Sequence, residues 1–424
     1  MTQETTDKIF DAVTGDDDGD DTDLTPEAHK AEPRNFLRHV AALSASKIAD
    51  GLIDPKLVLS WLLSHLGAGA FLTGLLVPIR EAGALLPQLF TTPRITASAI
   101  RKWFWAGGAL MQGVMAALIV LTAVTLEGAV AGAIIVGLLA VLALARSVCS
   151  ASYKDILGKT VAKTRRGSAT GLASSAAAAG VILFALVLMV GIGDRFVVVV
   201  GAIALAACFW AIAATVFATL KEAPSDPEER AMSAQFGLLR KDPQLARFII
   251  VRSLLIGTAL TPPYLVLLQP DTGLDQLGAL VLASAVASLI SSYVWGRVSD
   301  RSSARVLRLS GLAGGVVLTL VVVLTLAGGI GAFGVLPLML LGLMVSYHGV
   351  RQGRSTHLVD MAGPNDRASY TALSNTVVGL VLLAVGVVSA GVAAISVPLV
   401  IGLFAVMCFL AAIIARGLEE VQDG

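Results

Sequence analysis

Charge is scarce in this sequence. Asp, Glu, Lys and Arg make up 14% of its 424 residues, while 56% are hydrophobic. A soluble fold of this length needs a charged surface, so a water-soluble globular protein is excluded. Acids and bases nearly cancel, and a net charge of +1 gives no bulk field to hold nucleic acid. Cysteine is nearly absent too. Cys149, Cys208 and Cys408 stand apart in apolar runs without CxxC spacing, and read as small buried hydrophobes. The five histidines (His29, His39, His65, His348, His357) show no metal-ligand spacing, and no metal is expected. DDDGDD at 16–21 misplaces the glycine of a calcium loop and lacks its closing glutamate. No GxxxxGK[ST] loop binds nucleotide and no nucleophile–base arrangement appears. No cofactor is therefore expected, and not an enzyme. No apolar h-region precedes the first long apolar run, so no cleavable signal peptide is expected.

What is present is apolar length. Mean hydropathy is +0.80. Runs such as LTAVTLEGAVAGAIIVGLLAVLALA recur from end to end, and a bilayer crossing needs roughly 20 apolar residues. Strand alternation is missing, so an all-α polytopic membrane protein is expected and a barrel is not. Twelve spans are read: 37–64, 67–91, 101–125, 129–158, 168–191, 195–219, 246–268, 273–295, 306–328, 333–361, 369–391 and 394–416. Residues 1–36 form an acidic tail expected to be disordered. Two six-helix bundles, 37–220 and 246–416, flank a charged central loop, 221–245, and residues 417–424 form a second tail.

Basic residues test the orientation. With the N-terminus inside, the inner connections hold Arg94, Arg101, Lys102, Lys159, Lys163, Arg165, Arg166, Lys221, Arg230, Arg240, Lys241, Arg297, Arg301, Arg305, Arg367 and Arg416. The outer connections hold Arg195. Both termini are thus expected in the cytoplasm. Asp54-Pro55 also reads as a helix start, with aspartate as N-cap and proline in the first turn. A span from 54 to 79 would place Arg80, Arg94, Arg101 and Lys102 outside, so 37–64 is kept and Asp54-Pro55 falls near its middle. Trp61, Trp103, Trp105 and Trp295 lie near span ends and read as interface anchors.

RRGSATGLASS (165–175) lies over DRASYTALSNT (366–376) without gaps. Arg166, Ser168, Thr170 and Leu172 match Arg367, Ser369, Thr371 and Leu373. Two halves related by duplication follow. With this repeat, the span count and the central loop, the chain resembles the major facilitator superfamily over 37–416. GRVSDRSSAR between spans eight and nine fits the superfamily pattern Gly-x-x-x-Asp-Arg-x-x-x-Arg/Lys at Gly296, Asp300, Arg301 and Arg305. The resemblance implies a gating latch there, a cavity lined by spans one, four, seven and ten, a working monomer and a bacterial inner membrane location. GLLVPIREAGALLPQLF and DGLIDPKLVLSWLL look like a bacterial permease subgroup with no substrate attached. LFTTPRITASAIRK lacks the latch pattern between spans two and three, and span five lacks the Gly-Pro of the antiporter signature.

A charge at mid-membrane depth costs several kcal/mol unless it meets water or a partner, roughly 2.5 at the least. Such residues are therefore candidates. Lys47, Asp50 and Asp54 share one face of span one, just before a break expected at Pro55. Arg80 and Glu81 lie near the centre of span two. Arg146, Lys154 and Asp155 are on span four, and Tyr347, His348 and Arg351 on span ten. Position 347 is the repeat equivalent of Arg146. Asp50, Asp54 and Glu81 are candidates for proton coupling, or for static ion pairs with Lys47, Lys56 or Arg80. Lys47, Arg80, Arg146, Lys154, Asp155, Tyr347, His348 and Arg351 are candidates for binding solute, and the arginines favour an anionic group. The expected function is proton-coupled secondary transport of a small solute by alternating access. The alternative is a non-transporting membrane assembly factor or sensor of the same fold.

Overall fold

The computed structural model describes Phe10 and residues 24–190, 193–224, 241–269, 274–299, 301–361 and 367–420. Among the described residues every regular element is a helix. In chain order they are α1 (Pro26–Leu52), α2 (Val58–His65), α3 (Ala70–Leu85), α4 (Gln88–Thr96), α5 (Lys102–Thr125), α6 (Gly128–Thr160), α7 (Arg166–Val190) and α8 (Arg195–Ala218). Then follow α9 (Pro243–Leu254), α10 (Gly257–Leu260), α11 (Pro262–Leu267), α12 (Leu274–Ser299), α13 (Ser303–Leu326), α14 (Val335–Met361), α15 (Arg367–Ala393) and α16 (Val397–Ile414). Among the described residues eight helical stretches are long and apolar enough to cross a membrane. They are α5, α6, α7, α8, the run from α9 to α11, α13, most of α15, and α16 with its last turn.

The starts of several helices are written in short polar side chains. Thr25 caps α1 by accepting from the Ala28 amide, with Pro26 in the first turn. Asp242 caps α9 by accepting from the amides of Gln244 (2.9 Å) and Leu245 (3.0 Å), ahead of Pro243. Ser302 caps α13 through the Arg305 amide at 3.0 Å. The expected break in span one is present. Helix α1 stops at Leu52 and α2 starts at Val58. Between them Pro55 cannot donate, and the Asp54 carbonyl collects the amides of Leu57, Val58 and Leu59 at 3.3, 2.9 and 3.1 Å. Span seven bends at Thr261-Pro262-Pro263, where α10 gives way to α11.

Two expectations are corrected. Residues 26–36 are helical, as the first turns of α1, and are not part of a disordered tail. Glu32 is the physical reason: it is 1% exposed and accepts from the Ala162 amide (2.9 Å) and Arg165 Nη1 (3.1 Å) at the far end of α6. Asn35 adds a reciprocal pair with the Lys221 backbone at 2.9 and 3.0 Å. Such partners, far away in sequence, let this polar segment beat its own low hydrophobicity. The tryptophans are the second correction. Trp103 is exposed like an anchor, but Trp61, Trp105 and Trp295 are buried. The Trp295 indole donates to the Val345 carbonyl at 2.8 Å, which satisfies its polar end inside the protein.

Helix α1 packs on α7 and α8, α5 on α6 and α8, and α3 on α6. In the second half α13 packs on α14 and α16, α12 on α14, and α9 on α16 and α15. The halves meet where α7 lies against α12 and α3 against α15. Both contacts rely on small residues. A Cβ on Gly278 would sit 2.7 Å from the Ala185 carbonyl oxygen, and one on Gly74 2.7 Å from the Tyr264 hydroxyl and 3.0 Å from the Ala390 methyl. These contacts lie at the end of the helices opposite the start of α1. That face is shut by near backbone-to-backbone packing.

The Glu32 contact is testable. Glu32→Ala leaves the Ala162 amide and Arg165 without their buried acceptor, and should cost on the order of 3 kcal/mol. A clear drop in unfolding temperature in detergent is expected, whereas a disordered tail would give no change.

Candidate functional site

The break in span one sets Asp50, Asp54 and Lys56 at the middle of the protein. Around them lie two adjoining chambers of about 470 and 390 Å³, the size range of small-molecule sites. Asp50, Asp54, Lys56, Arg146, Tyr347 and Arg351 line both. The larger runs between α7 (Ser174, Ala177, Val181) and α12 (Val281, Ser284, Ser288), on the α1-start side of the Gly278 contact. The smaller reaches Arg80 and Glu81 on α3 and Arg354 on α14.

Asp50 is held at both oxygens. Arg80 Nη2 donates to Oδ1 at 2.9 Å, and Arg146 Nη2 lies 2.8 Å from Oδ2. Arg146 also donates to the Ser46 hydroxyl at 3.2 Å. One carboxylate thereby ties α1, α3 and α6 together. Lys47 does not share in this. Its ammonium donates to Ser174 on α7 at 2.5 Å. Lys56 lies 3.9 Å from Glu81 and 3.6 Å above the ring centre of Tyr347. That cation–π contact joins the two halves across the cavity. The Asp54 carboxylate accepts from the Lys56 amide at 3.1 Å and so stabilises the break itself. His348 lines the larger chamber with its ring 5.3 Å from that of Tyr347.

Lining these chambers are six cations, Lys47, Lys56, Arg80, Arg146, Arg351 and Arg354, and three carboxylates, Asp50, Asp54 and Glu81. Arg351 and Arg354 have no hydrogen bond or ion pair among the described residues. The chambers are therefore positive in balance, with Asp50 already committed to two arginines.

An all-helical chain whose helices close around a central charged cavity is a known architecture. The sequence model for the Major Facilitator Superfamily matches residues 42–350. This chain belongs to the Major Facilitator Superfamily. Solved structures of the superfamily align over nearly their whole length. A D-xylose–proton symporter superposes with TM-score 0.68 at 11% identity, covering 91% of this chain and 98% of the other. The POT family transporter PepTSo gives 0.67 at 13%, covering 91% and 97%. The nucleoside transporter NupG gives 0.64 at 15%, covering 91% and 99%. At these identities the likeness is one of fold. No curated protein matches the sequence.

Of the binding candidates, Lys47, Arg80, Arg146, Tyr347, His348 and Arg351 come together at this cavity, with Asp50, Asp54 and Glu81. Lys154 and Asp155 do not. Lys154 is exposed, and Asp155 pairs with Arg101 (2.6 Å) and Lys159 (2.7 Å) near the α1-start face. The acid that completes this second network is Glu222, which sequence reading missed. Its carboxylate accepts from the Arg101 and Lys102 amides at the start of α5, and lies 3.6 Å from Lys159. A lone glutamate in a charged loop carries no signal of that role. In the latch motif, Asp300 lies outside the described residues, as do the side-chain surroundings of Gly296. Arg301 and Arg305 are exposed and form no ion pair among the described residues. Sequence reading also left out Arg354, and gave Arg252 no role. The spacing Arg351-x-x-Arg354, which puts both on one helix face, was the available signal.

The Asp50 clamp predicts energetic coupling. In a double-mutant cycle of Asp50→Asn and Arg146→Gln, read by thermal unfolding in detergent, each single change should destabilise. The pair should then be less damaging than the sum, with a coupling of about 1–3 kcal/mol. Strict additivity would mean that the clamp carries no interaction energy.

Proposed function

We propose that this protein is a secondary transporter that moves a small anionic solute through the bacterial inner membrane by alternating access. The observation that carries the reading is the positive balance of a cavity set between two halves of the superfamily fold. Arginine cannot give up its proton at physiological pH, so the positive wall is permanent and suits a carboxylate or phosphate. The cavity is shut at the Gly278 and Gly74 end. If the basic connections and both termini face the cytoplasm, the shut face is the outer one and the cavity is the inward-facing state of the cycle.

Proton coupling falls to the three carboxylates. Asp50 exchanges between its arginine clamp and a protonated state, while Asp54 and Glu81 sit beside Lys56 at the break. Taking a proton at Asp50 would free Arg80 and Arg146 for the solute, which links the two events by charge. One observation favours the non-transporting alternative: Asp50 is satisfied on both oxygens, as in a fixed structural pair. The two readings differ in behaviour. A sensor or assembly factor keeps the pair closed and moves nothing.

Reconstitution in liposomes separates them. A panel of small organic acids and phosphate esters is presented with an imposed pH gradient in each direction. Concentrative uptake of at least one anion is expected, with Asp50→Asn lowering gradient-driven accumulation at least tenfold. If no solute moves in either direction, the transport reading is wrong for that class.

A further inference from the structure

A third, much smaller chamber opens beside the central cavity. It has about 30 Å³ of space and is lined by Arg252, Arg351, Arg354, Glu81 and Tyr347, with apolar residues of α9, α10 and α15 completing its walls. Glu81, Tyr347, Arg351 and Arg354 also line the central cavity, so the chamber is a side pocket of it. One water needs about 10–15 Å³ of such space, so the chamber has room for about two water molecules. A whole organic solute does not fit, but a single ion or one acid group does.

The chemistry of the walls is one-sided. Arg252 is buried at 5% exposure. It donates from Nη1 to the Ser374 hydroxyl (2.7 Å) and from Nη2 to the Asn375 amide oxygen (2.9 Å). Both partners are neutral, and its buried Nε has no hydrogen-bond partner among the described residues. A buried guanidinium with no carboxylate and a spare donor is costly unless a negative group completes it. Arg351 and Arg354 add two more guanidinium groups without ion pairs among the described residues. The one carboxylate lining the chamber is Glu81, which lies 3.9 Å from Lys56 of the central cavity.

The contrast with the first half sharpens the point. There Lys47 donates to Ser174, the position that pairs with Asn375 in the repeat, just as Arg252 donates to Asn375. The first half, however, supplies Asp50 to be shared by its two arginines, and among the described residues the second half supplies no counterpart within ion-pair distance.

We infer that Arg252, Arg351 and Arg354 form an anion subsite that takes one carboxylate or phosphate group, or one small inorganic anion, in the side chamber. This rests on the transporter reading only for its role, not for the binding itself. In transport the subsite anchors the acid group on the wall formed by α9, α14 and α15, while the rest of the solute lies in the larger chambers.

The test uses the full-length protein in detergent at constant ionic strength, with methanesulfonate as background anion. Chloride, inorganic phosphate, acetate and succinate are titrated separately, and binding is read as saturable thermal stabilisation, with chloride-35 line broadening for the first. Saturable binding of at least one anion is expected. Arg354→Gln and Arg351→Gln should weaken it at least tenfold, Arg354→Lys by less, and Arg195→Gln, an equal charge loss at a distant exposed site, by less than twofold. The lysine variant guards against misfolding as the cause of the loss. A response to chloride or phosphate makes a free ion the occupant, and a response confined to acetate or succinate makes it the acid group of the solute. No saturable response to any of the four overturns the inference. So does equal weakening by Arg195→Gln, or unchanged affinity in Arg354→Gln. Concentrative transport with an unchanged KM in Arg354→Gln would also overturn it while leaving the transporter reading intact.

Discussion

A single carboxylate shared by two guanidinium groups organises the first half of this protein. Asp50 can sit at that depth because Arg80 and Arg146 each approach it within 3 Å, and each arginine can sit there because of Asp50. Removing Asp50 leaves two arginines without their acid, and removing either arginine leaves one Asp50 oxygen without its partner. The contact also fixes geometry. It holds α1, α3 and α6 in register just before the α1–α2 break, where Asp54 gathers the amides that Pro55 displaces. Lys56 is thereby delivered to the cavity from a non-helical turn, where it reaches Glu81 on one side and Tyr347 on the other. The central cavity thus depends on a helix that stops in mid-span.

The second half departs from the first. The repeat places α7 and α15 at starts 201 residues apart, Arg166 and Arg367, and keeps a cation-to-polar contact across each helix pair. It does not keep the acid. Position 347 is tyrosine where its mate is Arg146, and Arg252 reaches only neutral groups. The two walls thus differ in charge: the first carries four cations and three carboxylates, the second Arg351, Arg354 and Arg252 with no carboxylate among the lining residues.

Much of this was legible in the sequence because it depends on local or near-local signals. Apolar length marked the helices, Pro55 marked the break, and the rarity of charge made Asp50, Arg80 and Arg146 conspicuous. The rest depends on contacts that no spacing announces. Glu32 meets the end of α6 from more than a hundred residues away, and Glu222 caps α5 across a similar separation. Both looked like ordinary acids in polar segments. Trp61, Trp105 and Trp295 sat where anchors sit in sequence, yet neighbouring helices cover them. Arg354 was passed over because it lies one turn beyond Arg351, in a stretch that reads as the polar end of a span. Only the packing of α9 on α15, and of α10 and α15 on α14, shows that both arginines and Arg252 face one small space.

The shut face has a mechanical consequence. Gly278 brings α12 close to the Ala185 and Met189 backbone of α7, and Gly74 brings α3 close to Tyr264 and Ala390, so the two halves touch along short bearings near one end of long helices. From Gly278 to the end of α12 is 21 residues, about 30 Å at the helical rise. A tilt of about 10° pivoting at Gly278 sweeps the far end of α12 through about 5 Å, while the bearing itself hardly shifts. At that ratio a shift of a few tenths of an ångström at the glycines corresponds to a displacement of several ångströms at the opposite end of the helix.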